Sequence, residues 1–223
     1  MPTALYDGVA GWYDERFAPG PERLEAVRRL VGPGPGTSLD VGCGTGFYLP
    51  VLHDLGWTTT GVDLSADQLA FAQRRAGDFA ELIQADAADL PFPDESFDLV
   101  FSAFTHTDID SFRGAVAEGT RVLRPEGRFV YLGLHPCFVG PHSRFAFGLG
   151  VPALQSGYRD TRRYTDAPGL NPDGLRVKVG AVHMPLGRLL EAFLDAGLRL
   201  DAFEEPIGAD CEYPHWLALR TVR

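Results

Sequence analysis

Short apolar runs alternate with amphipathic stretches along most of this chain, and the alternation is regular from residue 37 to residue 134. Runs at 37–41, 58–62, 81–84, 97–102 and 128–134 are bounded by Gly, Pro or Asp, which predicts buried strands. Helical spacing predicts helices over 21–31, 47–55, 66–76 and 109–123, the last with Val116, Val122 and Leu123 on its apolar side. Ser65 stands where a hydroxyl caps the 66–76 helix. A further helix over 185–196 carries Leu186, Leu189, Leu190, Phe193 and Leu194 on one face, with Gly197 as its C-terminal stop. Two last strands, near 198–204 and 216–221, complete the pattern. Strand and helix in strict succession predict an α/β fold, a mostly parallel sheet with helices on both faces.

The regularity fails in two places. Residues 6–17 are dense in aromatics and acids and are expected to form a hydrophobic flap over the first helix. Residues 136–176 are rich in Gly, Pro, Arg and aromatic side chains, and a stretch of roughly forty residues is too long for a plain connection in a compact domain. It is expected to be an inserted lid or acceptor-binding segment, with Phe138, Val139, Phe145, Phe147, Leu149, Val151, Tyr158 and Tyr164 interspersed with Arg144, Arg159, Arg162 and Arg163. The 223 residues otherwise suit a single domain with one core.

Charge narrows the partners. Asp and Glu outnumber Lys and Arg 30 to 20, for a net charge of −10, and no basic run supplies the footprint of a nucleic-acid binder. Cys43, Cys137 and Cys211 are scattered and odd in number, which argues against a disulfide framework or structural zinc and for a reducing compartment. No apolar run approaches the roughly 20 residues of a membrane helix. A cytoplasmic protein is expected, with no membrane partner and with homodimer formation left open.

The candidate chemistry begins at Leu39-Asp-Val-Gly-Cys-Gly-Thr-Gly46, a strand running into a glycine turn and then a helix. Glycine lets the backbone bend sharply and lets a ligand approach the main chain, so this is the place for a nucleotide-type ligand. The spacing is neither that of the dinucleotide fingerprint nor that of a P-loop. Asp40, Asp63 and Asp86 fall at the ends of the first three strands, which in a parallel sheet open onto one edge. Carboxylates there can accept hydrogen bonds from an amine or from ribose hydroxyls, and they would repel a pyrophosphate.

This constellation resembles the class I, Rossmann-like family of S-adenosylmethionine-dependent methyltransferases, of the small-molecule type. The resemblance runs through Leu39–Gly46, Gly61-Val-Asp-Leu-Ser65, Gln84-Ala-Asp-Ala-Ala-Asp-Leu-Pro-Phe92, Phe97-Asp-Leu-Val100 and Val122-Leu-Arg-Pro-Glu-Gly-Arg-Phe129, with Glu126 where the family more often has Gly. It implies a doubly wound seven-stranded sheet with an antiparallel last strand and the lid after the fifth strand. It also implies S-adenosylmethionine as cofactor and S-adenosylhomocysteine as product. Gly42, Gly44 and Gly46 would pass under the methionine part, with Asp40 near its amino group. Asp63 would bind the ribose, Leu64 would pack on adenine, Asp86 and Ala87 would recognise the adenine amine, and Ser102 with Ala103 would border the methionine. Tyr13 and Tyr6 match the family's early aromatic motif, which folds over cofactor and substrate.

Methyl transfer from a sulfonium is an in-line displacement, so holding nucleophile and methyl in line is the main task and a general base is optional. His106, His135 and His183 are the candidates for a base or for acceptor contact, and they tilt the expectation toward an oxygen acceptor over nitrogen or carbon. Tyr6, His135, Phe138 and His183 are expected to touch a small-molecule acceptor. His106-Thr-Asp-Ile-Asp110 reads as a loop with acids at a helix start, and no metal site is expected. The segment 102–105 lacks the tetrad of nucleobase amine methylation, and Cys137 after Pro136 follows the wrong strand for a cytosine nucleophile. The competing readings are a nicotinamide-dependent oxidoreductase, a cofactor-binding module without turnover, and a methyltransferase acting on protein or RNA.

Overall fold

The computed structural model describes residues 3–144, 151–167, 173–206 and 212–223. Phe145, Phe147, Leu149 and Cys211 lie outside the described residues. In chain order the elements are α1 (Ala10–Arg16), α2 (Pro21–Val31), β1 (Gly36–Val41), α3 (Leu49–Asp54), β2 (Trp57–Asp63), α4 (Ala66–Ala76), β3 (Ala80–Gln84) and β4 (Phe97–Ala103). A 3-10 turn (Thr105–Thr107) then leads to α5 (Phe112–Val122), β5 (Leu123–Leu134), β6 (Ser143–Arg144), β7 (Ala153–Leu154), α6 (Leu175–Val179), α7 (Leu186–Asp195), β8 (Arg199–Glu204) and β9 (Trp216–Val222).

The main sheet has seven strands in the order β3-β2-β1-β4-β5-β9-β8. β1 pairs in parallel with β2 and β4, β2 with β3, and β4 with β5, whereas β9 runs antiparallel to both β5 and β8. This is the expected doubly wound sheet with its antiparallel last strand. Both faces are buried, so adjacent residues of a central strand serve different cores. Val100, Phe129 and Tyr131 face α5 and α7 with Phe112, Val116, Leu189 and Phe193. Leu99, Phe101, Val130 and Leu132 face α2 and α3 with Val27, Leu30, Val51 and Leu52.

Ser65 is the N-cap of α4, its Oγ accepting from the Gln68 amide at 3.1 Å, and Gly197 follows α7 with φ +86°. Three expectations are corrected. Residues 6–17 are not merely a flap, because they contain the helix α1, which packs on α4. The 109–123 helix starts only at Phe112, because the 3-10 turn takes up Thr105–Thr107. Leu194 is 56% exposed, so the buried stripe of α7 consists of Leu189, Ala192 and Phe193.

Phe193 packs edge-on against Phe129 and Phe112 and tilted against Tyr131, with ring centroids at 5.3, 6.0 and 5.6 Å. Phe193→Ala is expected to lower the unfolding free energy in urea by about 3–5 kcal/mol. Leu194→Ser, one residue on, should change it by less than about 0.5 kcal/mol. Equal costs at the two positions would contradict this packing.

Candidate active site

β1, β2, β3 and β4 end on one edge of the sheet, and the residues just beyond them enclose a cavity of about 940 Å³. Its wall takes Gly42 and Gly44 from the turn after β1, Val62, Asp63 and Leu64 from the end of β2, and Ala85, Asp86 and Ala87 after β3. Ala103, Phe104 and Thr105 follow β4, and Tyr6 and Tyr13 close the N-terminal side. Val139, Gly140, Ser143, Arg163, Tyr164 and Arg176 come from the segment after β5.

The turn is built from hydrogen bonds that cross from β1 to β2. The Gly42 and Cys43 amides both donate to the Val62 carbonyl, at 2.8 and 2.9 Å. The Gly44 amide donates to Asp63 Oδ2 at 2.9 Å, while the Ser65 amide donates to Asp63 Oδ1 at 2.9 Å. The three glycines do different work. A Cβ on Gly42 would come within 2.5 Å of Thr105 Cγ2, and one on Gly46 within 3.1 Å of Ala72. Gly42 and Gly44 therefore line the cavity, and Gly46 lets the chain approach α4.

Asp40 is 1% exposed, and its Oδ2 has no hydrogen-bond partner. Burial, reinforced by the Asp63 charge, raises its pKa to about 8. Burial also raises Asp63, to about 6, against the pull of its backbone hydrogen bonds. Asp86 Oδ1 accepts from the Ala88 amide at 2.9 Å, which fixes the turn after β3.

The N-terminal segment is tied over this edge. Ser65 Oγ bonds Asp7 Oδ1 at 2.5 Å, the Gly8 amide donates to Asp67 Oδ2 at 2.7 Å, and Arg75 pairs with Asp14 at 2.9 Å. These contacts set Tyr6 edge-on to Tyr13, with ring centroids 5.6 Å apart, at the cavity wall. Burial raises the Tyr13 hydroxyl to about 12, so it is a hydrogen-bonding group and not a base near neutral pH.

Several expected site residues lie elsewhere. Ser102 is buried between strands, its hydroxyl donating to the Val41 carbonyl at 2.9 Å beside Thr105 Oγ1 at 2.7 Å, and Ala103 and Phe104 take its place on the wall. His106 is in the core, bonded through Nδ1 to the Tyr131 hydroxyl, and burial lowers its pKa to about 3. His135 pairs with Glu205 at 2.8 Å. Phe138 packs on His135 and Tyr213, with ring centroids at 4.7 and 5.6 Å. His183 lies behind Gly140 beside His142 and Tyr158, and burial lowers its pKa to about 4. None of the three histidines lines the cavity.

The cavity instead exposes polar groups that the motifs did not single out. Arg23 lies over the Phe104 and Trp216 rings at 5.5 and 5.1 Å, and its Nε is buried without a partner. It also lines a small recess against the glycine turn, next to Thr45, whose buried hydroxyl is unpartnered as well. Gln68 Oε1 is a further unpartnered buried acceptor on the wall. Asp108 forms an ion pair with Arg176, although the two are far apart in sequence. A basic residue on α2 was a weak signal for Arg23; Asp108 lay in the His106–Asp110 stretch read as a loop with acids at a helix start, and nothing local marks its pairing with Arg176.

Residues 39–131 match the family model described as a methyltransferase domain. The chain is 35% identical over 159 residues to a demethylmenaquinone methyltransferase of Tropheryma whipplei (strain Twist), an alignment covering 67% of this chain and 66% of that protein, just under two thirds of its length. It is 41% identical over 104 residues to a fatty-acid O-methyltransferase of Mycolicibacterium smegmatis, covering 44% of this chain and 37% of that one. Among solved structures, an S-adenosylmethionine-dependent methyltransferase from Mesorhizobium loti superimposes with a TM-score of 0.72 at 25% identity, over 97% of this chain and 99% of that one. With this sheet order and glycine turn, the chain has the class I, Rossmann-like fold of S-adenosylmethionine-dependent methyltransferases, and its residues 39–131 match a methyltransferase domain.

Because Asp40 titrates at about 8 when folded and near 3.8 when unfolded, the folded state holds the extra proton between these values. Stability is then lost as pH rises through that window and stays flat above it. Asp40→Asn is therefore expected to stabilise the ligand-free protein at pH 9 and to make little difference near pH 4, as read by urea unfolding at the two pH values. An equal effect at both would contradict the assignment.

Proposed function

We propose that this chain transfers the methyl group of S-adenosylmethionine to a small, largely apolar acceptor held in the same cavity. The observation that carries this reading is the set of unpartnered buried polar atoms around the glycine turn: Asp40 Oδ2, Gln68 Oε1 and Thr45 Oγ1 as acceptors and Arg23 Nε as donor. Buried polar groups are normally satisfied, and an amino acid tail, with an ammonium and a carboxylate on one carbon, is the ligand end that would satisfy both kinds. Arg23 would hold the carboxylate, and Asp40 and Gln68 would supply the negative potential for the ammonium. Asp63 retains lone pairs for the ribose hydroxyls, and Leu64, Asp86 and Ala87 would frame the base. When bound, this cofactor supplies an activated methyl on a sulfonium; the protein positions and desolvates.

The cavity volume of about 940 Å³ lies near the top of the roughly 300–1,000 Å³ range of ligand pockets, which leaves room for an acceptor beside a nucleoside cofactor. Relatives named for demethylmenaquinone and for fatty acids support an apolar acceptor. Val139, Gly140, Tyr164 and Arg176, from the described part of the segment after β5, would act with Tyr6 and Tyr13 as the cover of the acceptor half. The preference for an oxygen acceptor rested on three histidines that lie outside this wall, so no general base is assigned.

Calorimetry with S-adenosylmethionine and with NAD tests the reading. Binding of the sulfonium cofactor alone is expected. Arg23→Met and Asp63→Ala should each weaken it about tenfold or more, the loss of a charge-assisted hydrogen bond. Binding of NAD, or unchanged affinity in both variants, would contradict the proposal.

A further inference from the structure

The cavity wall carries a charged pair inside an otherwise aromatic surround. Asp108 follows β4, Arg176 belongs to α6, and Tyr6 comes from the N-terminal segment. Arg176 bonds Asp108 Oδ1 through one terminal nitrogen and Thr107 Oγ1 through the other, the latter at 2.8 Å. Tyr6 lies beside this pair, its hydroxyl pushed up by burial and by the Asp108 charge. The side chains of Arg176 and Asp108 are only 15% and 19% exposed. The second cation on this wall, Arg163, is already engaged by Asp110 Oδ1 at 2.7 Å and the Asp108 carbonyl at 3.0 Å.

A buried ion pair is a poor device for stability, since desolvation offsets much of its attraction. This one borders empty space, and its acceptor capacity is not exhausted. An ionised carboxylate offers roughly four acceptor positions. Arg176 takes one of them. The Thr107 hydroxyl has one proton to divide between the Phe104 carbonyl at 3.1 Å and Asp108 Oδ2 at 3.2 Å. At least one position of Asp108 is therefore open on the cavity side. Asp108 and Asp110 balance Arg163 and Arg176, so this end of the wall favours neither a cationic nor an anionic ligand. Ser143, on the same wall, adds a buried hydroxyl without a partner.

Resting on the methyl-transfer reading above, we infer that Asp108, positioned by Arg176, is the specificity-determining residue of the acceptor half. It selects an uncharged apolar molecule carrying a hydroxyl group, which it binds as hydrogen-bond acceptor. A site built to bond a hydroxyl rejects the analogue that lacks it, because its own polar group is then left unpaired. Tyr6, Tyr164 and Trp216 supply the aromatic surfaces for the rest of such a molecule.

The probes are 1,4-dihydroxynaphthalene, kept reduced, and its dimethyl ether, titrated into protein saturated with S-adenosylhomocysteine. The diol is expected to bind at least about tenfold more tightly than the ether. The double variant Asp108→Leu with Arg176→Met removes both charges together, so neither is left buried alone, and it should reduce that preference to within about twofold while S-adenosylhomocysteine binding stays within about twofold of wild type. Asp108→Asn, nearly isosteric, gives a second reading if the double variant does not fold, with the preference for the diol expected to fall at least about threefold. A tenfold preference surviving these changes would overturn the inference, as would a wild type that binds both probes equally or neither. Failure of the wild type to bind S-adenosylhomocysteine would instead overturn the methyl-transfer reading itself.

Discussion

Two carboxylates at neighbouring strand ends, Asp40 buried and Asp63 half-buried, are the constraint around which this molecule is arranged. Asp40 is paired in register with Gly61 on β2, only two residues short of Asp63 at the end of that strand. Taking both out of water holds Asp40 at a pKa of about 8 and Asp63 at about 6. The nearby Asp63 charge further disfavours ionisation of Asp40, and Asp40 keeps an oxygen with no partner. A chain built only for stability would replace Asp40 with an apolar residue.

Asp63 carries a second load. Its two oxygens hold the Gly44 and Ser65 amides, so one side chain fixes the glycine turn and the start of α4 together. Ser65 then caps α4 through Gln68 and reaches Asp7. The N-terminal segment is thereby tied to the same carboxylate that shapes the turn, and Tyr6 and Tyr13 are carried over the cavity. From there Tyr6 meets Asp108, and Asp108 meets Arg176 of α6.

The sheet was legible in the sequence because its signals are local: apolar runs, a cap at Ser65, a stop at Gly197. Asp63 and Asp86 were legible because a strand end names an edge of the sheet. The same logic misplaced His106 and His135. A strand end fixes the edge and leaves open which way the side chain turns, and here both rings turn toward Tyr131 or Glu205. Ser102 failed for the related reason that its hydroxyl meets the Val41 carbonyl across the β1–β4 pairing. α1 was hidden because it is covered from outside by contacts to α4, with Ala10 its only buried residue. Arg23, Asp108 and Arg176 owe their importance to contacts between distant parts of the chain, which no spacing reveals.

If the unpartnered carboxylate of Asp40 is what receives the cationic end of the cofactor, binding must draw off its proton. Calorimetric titration of S-adenosylmethionine at pH 7, repeated in buffers of different ionisation enthalpy, measures this directly. Release of roughly one proton per molecule bound is predicted, because a group with a pKa of about 8 is mostly protonated beforehand and ionised afterwards. The release should disappear in Asp40→Asn. Binding without proton release in the wild type, or the same release in the variant, would contradict the central role given to this residue.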